Sequence, residues 1–292
     1  MDNKKIALLG QPNSGKSTVF NSLTGMHQHV GNWPGKTVEK KEGTFTHNDV
    51  TYQVADLPGS YSLSANSDEE IVTRDYIAKN DLDLVCLLAD ASQLERSMYM
   101  LADYAGIGTP VMLVLTMMDV AESKGKRIDT KKLSDKLGIE VCSIVAYDKK
   151  SYDSFFKSME KAIKSGKTLN ADALYDIVRQ GEGAKEFEKY METASVIASE
   201  RRSKEWLAMK LLEEDEAIIR ELAIKGKKDI ETNSKGALYT SDARFKWIEG
   251  LLDEVVTDAK KPSELLTKFD RAAIGPRSGK WVAFGMMILA LA

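Results

Sequence analysis

The chain has 292 residues, with 41 Lys and Arg against 44 Asp and Glu, a net charge of −3 and an apolar fraction of 43%. That length leaves room for two domains and a sizeable core, and the slight acidic excess argues against a nucleic-acid partner, which calls for a basic face. Its two cysteines, Cys86 and Cys142, stand far apart in apolar runs, so they are read as buried free thiols in a reducing compartment and not as a metal motif.

Met1–Lys5 runs directly into an apolar stretch, so no secretory leader is expected. Lys5–Leu9 reads as a short strand ending in a glycine loop, and Ser17–Leu23 as the helix after it. Gly43–Asn48 and Val50–Ala55 flank an Asn48-Asp49 turn and predict a hairpin. Asp68–Lys79 is helical, with Ser67 as its cap; Glu69 and Glu70 are then first-turn acids, a better reading than a catalytic base. Leu84–Ala89 and Val111–Leu115 are almost wholly apolar, as strands buried on both faces of a parallel sheet are. Leu94–Ala105 and Thr130–Leu137 read as helices, Val141–Ala146 as a final strand and Tyr152–Lys164 as a final helix. This alternation predicts a doubly wound, mostly parallel α/β domain over residues 1–166, with ligands at the carboxyl ends of its strands.

Beyond Ser165, charged helical periodicity replaces strands from Asp172 to Lys260. Trp206, Leu207, Lys210 and Leu211 fall at helical spacing, as do Phe245, Ile248, Leu251, Leu252 and Val255, an apolar stripe beside solvated charges. A small all-helical domain is expected over 167–262, with a loop rich in Lys, Asn, Ser and Gly near Lys225–Gly236. Trp281–Ala292 carries no charge. Twelve helical residues reach about 18 Å, whereas a bilayer core takes about 20 residues. The run reads either as a terminal core helix or as the start of a first transmembrane helix within 263–292. Arg271, Arg277 and Lys280 precede it, as the positive-inside rule expects.

The chemistry is concentrated in four motifs. Gly10-Gln11-Pro12-Asn13-Ser14-Gly15-Lys16-Ser17 matches the phosphate-binding pattern G-x-x-x-x-G-K-[ST] in full, after a strand and before a helix, with Thr18 following. Its backbone N–H groups can close around phosphates, the Lys16 ammonium can neutralise β and γ oxygens, and the Ser17 hydroxyl can bind Mg²⁺. Asp56-Leu57-Pro58-Gly59 ends the next strand; there an Asp can hold Mg²⁺ through water and the Gly59 N–H can meet a γ-phosphate. Gly35, Lys36 and Thr37 lie in the loop between, where Thr37 can complete the Mg²⁺ shell. Thr116-Met117-Met118-Asp119 stands where GTPases carry N-x-x-D: Asp119 can accept from guanine N1 and N2, donors that adenine lacks, while Thr116 is too short to make all the contacts of an Asn. Val145-Ala146-Tyr147 stands where Ser-Ala-x is expected, keeping the Ala146 N–H and losing the serine. GTP is the expected substrate, with ATP as the alternative. Ser60 replaces the water-orienting Gln of Ras-type enzymes, so slow hydrolysis is expected.

The run Val30–Lys40 (VGNWPGKTVEK) and the segment DLPGSYSL at Asp56–Leu63 resemble the two switch regions of the ferrous-iron transporter B (FeoB) proteins. WLAMKLLE at Trp206–Glu213 and DARFKWIEG at Asp242–Gly250 are similar to that family's helical spacer, described as acting like a nucleotide-dissociation inhibitor, and Thr267–Arg271 to its link into the first membrane helix. The resemblance implies the cytosolic N-terminal part of a polytopic bacterial inner-membrane Fe²⁺ transporter, with the remaining transporter domains, small accessory proteins and the membrane as partners. It also implies a K⁺ ion that accelerates hydrolysis, held by Asn13 and by carbonyls of the loop containing Gly31 and Trp33. The expected catalytic set is Lys16, Thr37, Gly59 and, through K⁺, Asn13. Thr116 and Val145 depart from the family pattern.

His27 and His29 flank a loop and are read as solvated, none of His27, His29 and His47 is read as an iron ligand, and Trp33 is read as either a switch anchor or a partner contact. Two other functions compete. A free-standing assembly or signalling GTPase would carry a basic RNA-binding C-terminal part, whereas acids outnumber bases in the helical region here. A non-catalytic nucleotide sensor is the third reading, against which the intact Lys16, Ser17, Thr37 and Asp56 argue.

Overall fold

The computed structural model describes residues 3–25, 27–64, 67–79, 81–145, 148–227 and 233–258. β1 (Asn3–Gly10) leads through the glycine loop into α1 (Lys16–Thr24), followed by β2 (Gln28–Asn32), β3 (Glu39–His47), β4 (Val50–Asp56) and α2 (Asp68–Lys79). Next come β5 (Leu84–Asp90), a 3-10 turn (Ala91–Gln93), α3 (Leu94–Tyr104), β6 (Val111–Thr116), α4 (Met118–Ser123) and β7 (Lys126–Ile128). Then α5 (Thr130–Leu137), β8 (Val141–Ser143) and α6 (Lys149–Ser165) complete the α/β part. Helices α7 (Asp172–Gln180), α8 (Ala184–Ala194), α9 (Lys204–Leu212), α10 (Glu216–Ile224) and α11 (Gly236–Val255) precede a last strand, β9 (Val256–Asp258).

The main sheet has the order β2-β3-β4-β1-β5-β6-β8. From β4 onward every pairing is parallel, and β2 and β3 add an antiparallel edge. Strand alternation sorts the apolar side chains into two cores. Ile6, Leu8, Leu84, Cys86, Leu88, Met112 and Val114 face α1 and α6, against Val19, Phe20, Phe155 and Met159. Ala7, Leu9, Val85, Leu87, Leu113 and Leu115 face the other way, against Met98 and Leu101 of α3 and Leu133 and Leu137 of α5. This second core continues into Leu174, Phe187, Trp206, Leu207 and Ile248, so the helical part is seated on the α3 side of the sheet. The seam is polar as well as apolar. Trp206 Nε1 donates to the Asp103 carbonyl at 2.9 Å, the Tyr175 hydroxyl to the Ala105 carbonyl at 2.8 Å, and the Gly108 N–H to the Arg201 carbonyl at 2.9 Å. Gly108 is required by this approach, since a Cβ there would lie 1.8 Å from the Glu200 carbonyl oxygen.

The mostly parallel α/β sheet followed by helices is the architecture expected, and the hairpin closes at His47↔Val50 with Asn48 (φ 48) and Asp49 (φ 60) both left-handed, as a two-residue type I′ turn demands. Several expectations need correction. Residues 28–32, read as loop, form the edge strand β2; its residues are exposed or half-exposed, so no apolar alternation announces it. The helix expected from Tyr152 begins at Lys149, because the Asp148 carboxylate accepts the Lys150 N–H at 3.0 Å and caps it. A strand does occur after Ser165: β9 pairs antiparallel with β7. Lys210, expected among solvated charges, is fully buried, and Phe245, expected in the apolar stripe, is 47% exposed. The Ser67 cap forms, its hydroxyl accepting the Glu70 N–H at 3.2 Å. Both cysteines are buried and free. The apolar run at 281–292 and the 267–271 link lie outside the described residues, among which no helix is long and apolar enough to cross a membrane.

Candidate functional site

The central strands β4, β1 and β5 end side by side, and the loop from Gly10 to Ser17 lies across their carboxyl ends. The loop is tightly folded. Asn13 (φ 66) and Gly15 (φ 82) take left-handed conformations, the Ser14 N–H returns to the Gln11 carbonyl at 3.2 Å, and a Cβ on Gly10 would sit 2.7 Å from Ser14 Oγ. The Ser14 hydroxyl is buried without a partner among the described residues. Lys16 opens α1 and its ammonium pairs with the Asp56 carboxylate from the end of β4, both groups being buried. The Ser17 hydroxyl donates to the other Asp56 oxygen at 3.2 Å. A cation, a hydroxyl and a carboxylate therefore meet at a helix N-terminus. That set can neutralise phosphate oxygens, and its hard oxygen donors suit Mg²⁺.

Gly59 closes against the loop from the β4 side, where a Cβ would lie 3.3 Å from Pro12 Cα. Leu57 is anchored by its N–H to the Leu8 carbonyl at 3.1 Å, and Pro58 by its carbonyl, which accepts the Thr73 hydroxyl at 3.4 Å. Ser60 is buried, and its hydroxyl has no partner among the described residues. Between β2 and β3 the chain makes a closed turn: the Trp33 N–H donates to the Val38 carbonyl at 2.9 Å and the Lys36 N–H to the Trp33 carbonyl at 3.0 Å. Trp33 is the anchor of this turn, 9% exposed and edge-on to Tyr76 at 5.2 Å. Gly35 and Thr37 stand exposed on it, and Lys36 pairs with Asp68 at 2.5 Å. No hydrogen bond or ion pair among the described residues joins Thr37, Gly31 or Trp33 to Lys16, Ser17 and Asp56.

Thr116 ends β6 directly beneath the glycine loop, 2% exposed, with its hydroxyl 2.8 Å from the Ser14 carbonyl and 3.2 Å from the Ala89 carbonyl. Met117 turns the chain in a left-handed conformation (φ 53), Met118 is half-buried, and Asp119 stands exposed in the first turn of α4. Val145 is half-buried; Ala146 and Tyr147 lie outside the described residues. The sequence reading missed Ser151, whose hydroxyl lies 3.2 Å from the Val145 N–H, 3.0 Å from the Val145 carbonyl and 2.6 Å from the Asp148 carbonyl, and so ties Val145 to Asp148. The Asp148-x-x-Ser151 spacing across the start of a helix was the available signal. Among the described residues no three His, Cys, Asp or Glu side chains are placed to hold a metal ion. His47 instead stacks on Phe156 at 4.1 Å and lies 3.5 Å from Glu160.

The two helical motifs meet at the far end of the second switch-like segment. Lys210 of α9 donates to Asp103 Oδ1 at 2.7 Å and to Glu213 at 2.9 Å, and Arg244 of α11 pairs with Asp103 at 2.7 Å and with Glu213 at 2.5 Å. The other Asp103 oxygen accepts the Leu63 N–H at 2.6 Å, and Lys210 also donates to the Ser64 hydroxyl at 3.2 Å. Burial opposes the charge on Asp103, but Lys210 and Arg244 outweigh it and hold the carboxyl down at about 2. A buried, charge-balanced quartet thus grips residues 63–64 from α3, α9 and α11. A second buried pair, Arg74–Asp215 at 2.7 Å, joins α2 to the start of α10. Sequence reading missed Asp103, which sits in the last turn of α3 beside Leu101 and Ala102 with no local signal of its partners.

The pattern of the family described as "Ferrous iron transport protein B" matches residues 4–159, and that of the "FeoB cytosolic helical domain" matches residues 182–257. The Fe(2+) transporter FeoB of Salmonella typhimurium is 32% identical over 98% of this chain and 38% of its own length, and that of Escherichia coli (strain K12) is 32% identical over the same shares. The chain thus spans well under half the length of these relatives. The cytosolic domain of the T. maritima FeoB iron transporter in its GDP form II superposes with a TM-score of 0.77 at 33% identity, covering 87% of this chain and 100% of that one. Its GMPPNP form gives 0.77 at 32% over the same shares, and the cytosolic domain of L. pneumophila FeoB 0.72 at 29%, again over 87% and 100%. With a complete phosphate loop on a P-loop GTPase fold and a helical part matched in its own right, this chain belongs to the ferrous iron transport protein B family.

Proposed function

We propose that the chain is the GTP-binding, slowly GTP-hydrolysing regulatory part of a bacterial Fe²⁺ membrane transporter. Residues 1–166 act as the nucleotide-binding unit, 167–262 as the helical spacer and 263–292 as the link into the membrane. The observation that carries the nucleotide reading is the meeting of Lys16, Ser17 and Asp56 at the mouth of a complete phosphate loop. The T. maritima cytosolic domain, solved in a GDP form and a GMPPNP form, supports it. In this reading the N–H groups of Gln11–Thr18 cradle the phosphates, and Lys16 leaves Asp56 for the β and γ oxygens. Gly59 N–H binds the γ-phosphate, while Asp119 and the 145–147 loop read the guanine edge. Mg²⁺, held by Ser17, Thr37 and Asp56, supplies positive charge against the phosphate oxygens when bound. Asn13 and the carbonyls of Gly31 and Trp33 would hold K⁺, which would supply positive charge beside the phosphates. Asn13 is exposed, and its amide makes no hydrogen bond with the described residues, which leaves its oxygen available. Ser60 cannot orient water as a Gln does, hence the slow rate. The partners proposed are the remaining transporter domains and small accessory proteins at the cytoplasmic face of the inner membrane, with no nucleic acid.

The test is γ-phosphate release from GTP and ATP in parallel, in KCl and in NaCl, with Lys16→Ala and Asn13→Ala beside the parent. Expected are Mg²⁺-dependent release favouring GTP, loss with Lys16→Ala, and a KCl stimulation that Asn13→Ala removes. Equal rates in both salts would discard the K⁺ site, and release from ATP as fast as from GTP would discard the guanine preference. Fe²⁺ uptake by cells carrying the longer protein, with Lys16→Ala in this part, tests the transporter role: unchanged uptake would reject it.

A further inference from the structure

Thr116 occupies the place of a base-reading side chain, yet its geometry faces the phosphates. Its hydroxyl has one hydrogen to donate, and two carbonyl oxygens already stand within reach of it, Ser14 at 2.8 Å and Ala89 at 3.2 Å. Reading the N7 or O6 of a purine takes a donor, and none remains. The methyl side is engaged as well: a Cβ built on Gly15 would lie 3.8 Å from both Thr116 Cβ and Cγ2, so the side chain packs under that glycine.

The consequence lies in the peptide joining Ser14 to Gly15. It is trans, so its carbonyl and its N–H point to opposite sides. Drawing the Ser14 carbonyl down onto Thr116 turns the Gly15 N–H up and away from the protein. That N–H makes no hydrogen bond within the described residues. Gly15, on the C-terminal side of this peptide, is a left-handed glycine (φ 82), so without the tether the peptide plane could turn over there at modest cost. We infer that Thr116 is a positioning residue for the phosphate loop: its hydroxyl holds the 14–15 peptide with the Gly15 N–H aimed at the phosphate chain. It contributes nothing to base choice, which falls to Asp119 and the 145–147 loop. The inference deepens the proposed function and rests on its nucleotide reading.

The experiment measures affinities of the parent, Thr116→Val, Thr116→Ser and Thr116→Asn for GTP, for ATP and for inorganic tripolyphosphate, a ligand with no base, all with Mg²⁺. Thr116→Val keeps the shape and removes the donor. It is expected to weaken all three ligands by a common factor of about fivefold, the scale of one neutral hydrogen bond, leaving the GTP-to-ATP ratio unchanged. Thr116→Ser restores the donor and the affinities. A loss confined to GTP, with tripolyphosphate unaffected, would overturn the inference, as would no loss at all. If Thr116→Val fails to fold in ligand-free thermal unfolding, Thr116→Asn decides: its amide N–H keeps the tether, so tripolyphosphate affinity is retained, and a drop there overturns the role. A parent that binds no GTP would reject the functional reading and this inference with it. A parent that binds GTP, with Thr116→Val indistinguishable from it, would reject the inference alone.

Discussion

Replacing Asp103 by Asn removes one charge from a buried quartet without changing its shape. In the parent, Asp103 Oδ1 takes charge-assisted hydrogen bonds from Lys210 and Arg244, each at 2.7 Å, and Oδ2 takes the Leu63 N–H at 2.6 Å. The side chains of Asp103, Lys210 and Arg244 are 1%, 0% and 3% exposed, so water cannot take over. Asn offers a single acceptor oxygen. Pointed at the cations, it turns its NH₂ toward the Leu63 N–H; flipped, it turns the NH₂ toward two cations. In either pose a donor faces a donor and the quartet carries an uncompensated positive charge, a defect worth roughly 3–5 kcal/mol. Urea unfolding at pH 7, followed by Trp fluorescence, measures it. Because Lys210 and Arg244 hold the Asp103 carboxyl at about 2, below its ordinary value, its contribution is fully present above about pH 4 and is lost as pH falls through about 2. The gap between parent and variant should therefore shrink below pH 4. Adding Lys210→Met removes the excess charge and should recover part of the loss, the mark of coupled neighbours. A cost below about 1 kcal/mol at pH 7, the value of a solvated pair, would refute the reasoning.

Asp49→Gly should stabilise the chain by about 0.5–1 kcal/mol, because Asp49 sits at φ 60 in a type I′ turn where Asn-Gly is favoured; denaturant midpoints check it. Gly108→Ala should destabilise by several kcal/mol and loosen the seam with 199–202, since its Cβ would strike the Glu200 carbonyl; limited proteolysis near Arg201 and Arg202 should accelerate. Neither cysteine should react with Ellman's reagent in the native state, because burial pushes both thiols up, Cys142 to about 12. Both should react once the chain is unfolded, and labelling at pH 8 in buffer alone would contradict this.

The parallel strands were legible because β5 and β6 are buried on both faces and read as unbroken apolar runs; the phosphate loop was legible because its spacing is dictated by a ligand and not by packing. β2 was not, since its pairing with β3 is a backbone matter that exposed Gln28, His29 and Val30 do not advertise. Lys210 was misplaced for a related reason: its periodicity is that of a helix, but whether a lysine at such a position is solvated depends on Asp103, more than a hundred residues earlier. The place of Thr116 beneath the loop likewise follows from the alignment of β6 beside β5, and of β5 beside β1, which no local pattern carries.

The β7–β9 ladder joins the last described residues to the α/β part by backbone hydrogen bonds, Val256↔Ile128 through Asp258↔Lys126. Mechanically this is a strap. The ladder ties Val256–Asp258, which follow directly on α11, to Lys126–Ile128, and β7 is joined to α4, whose first turn holds Asp119, by only Lys124 and Gly125. The end of the helical part and the proposed base-reading carboxylate are thus separated by one short strand and one short helix.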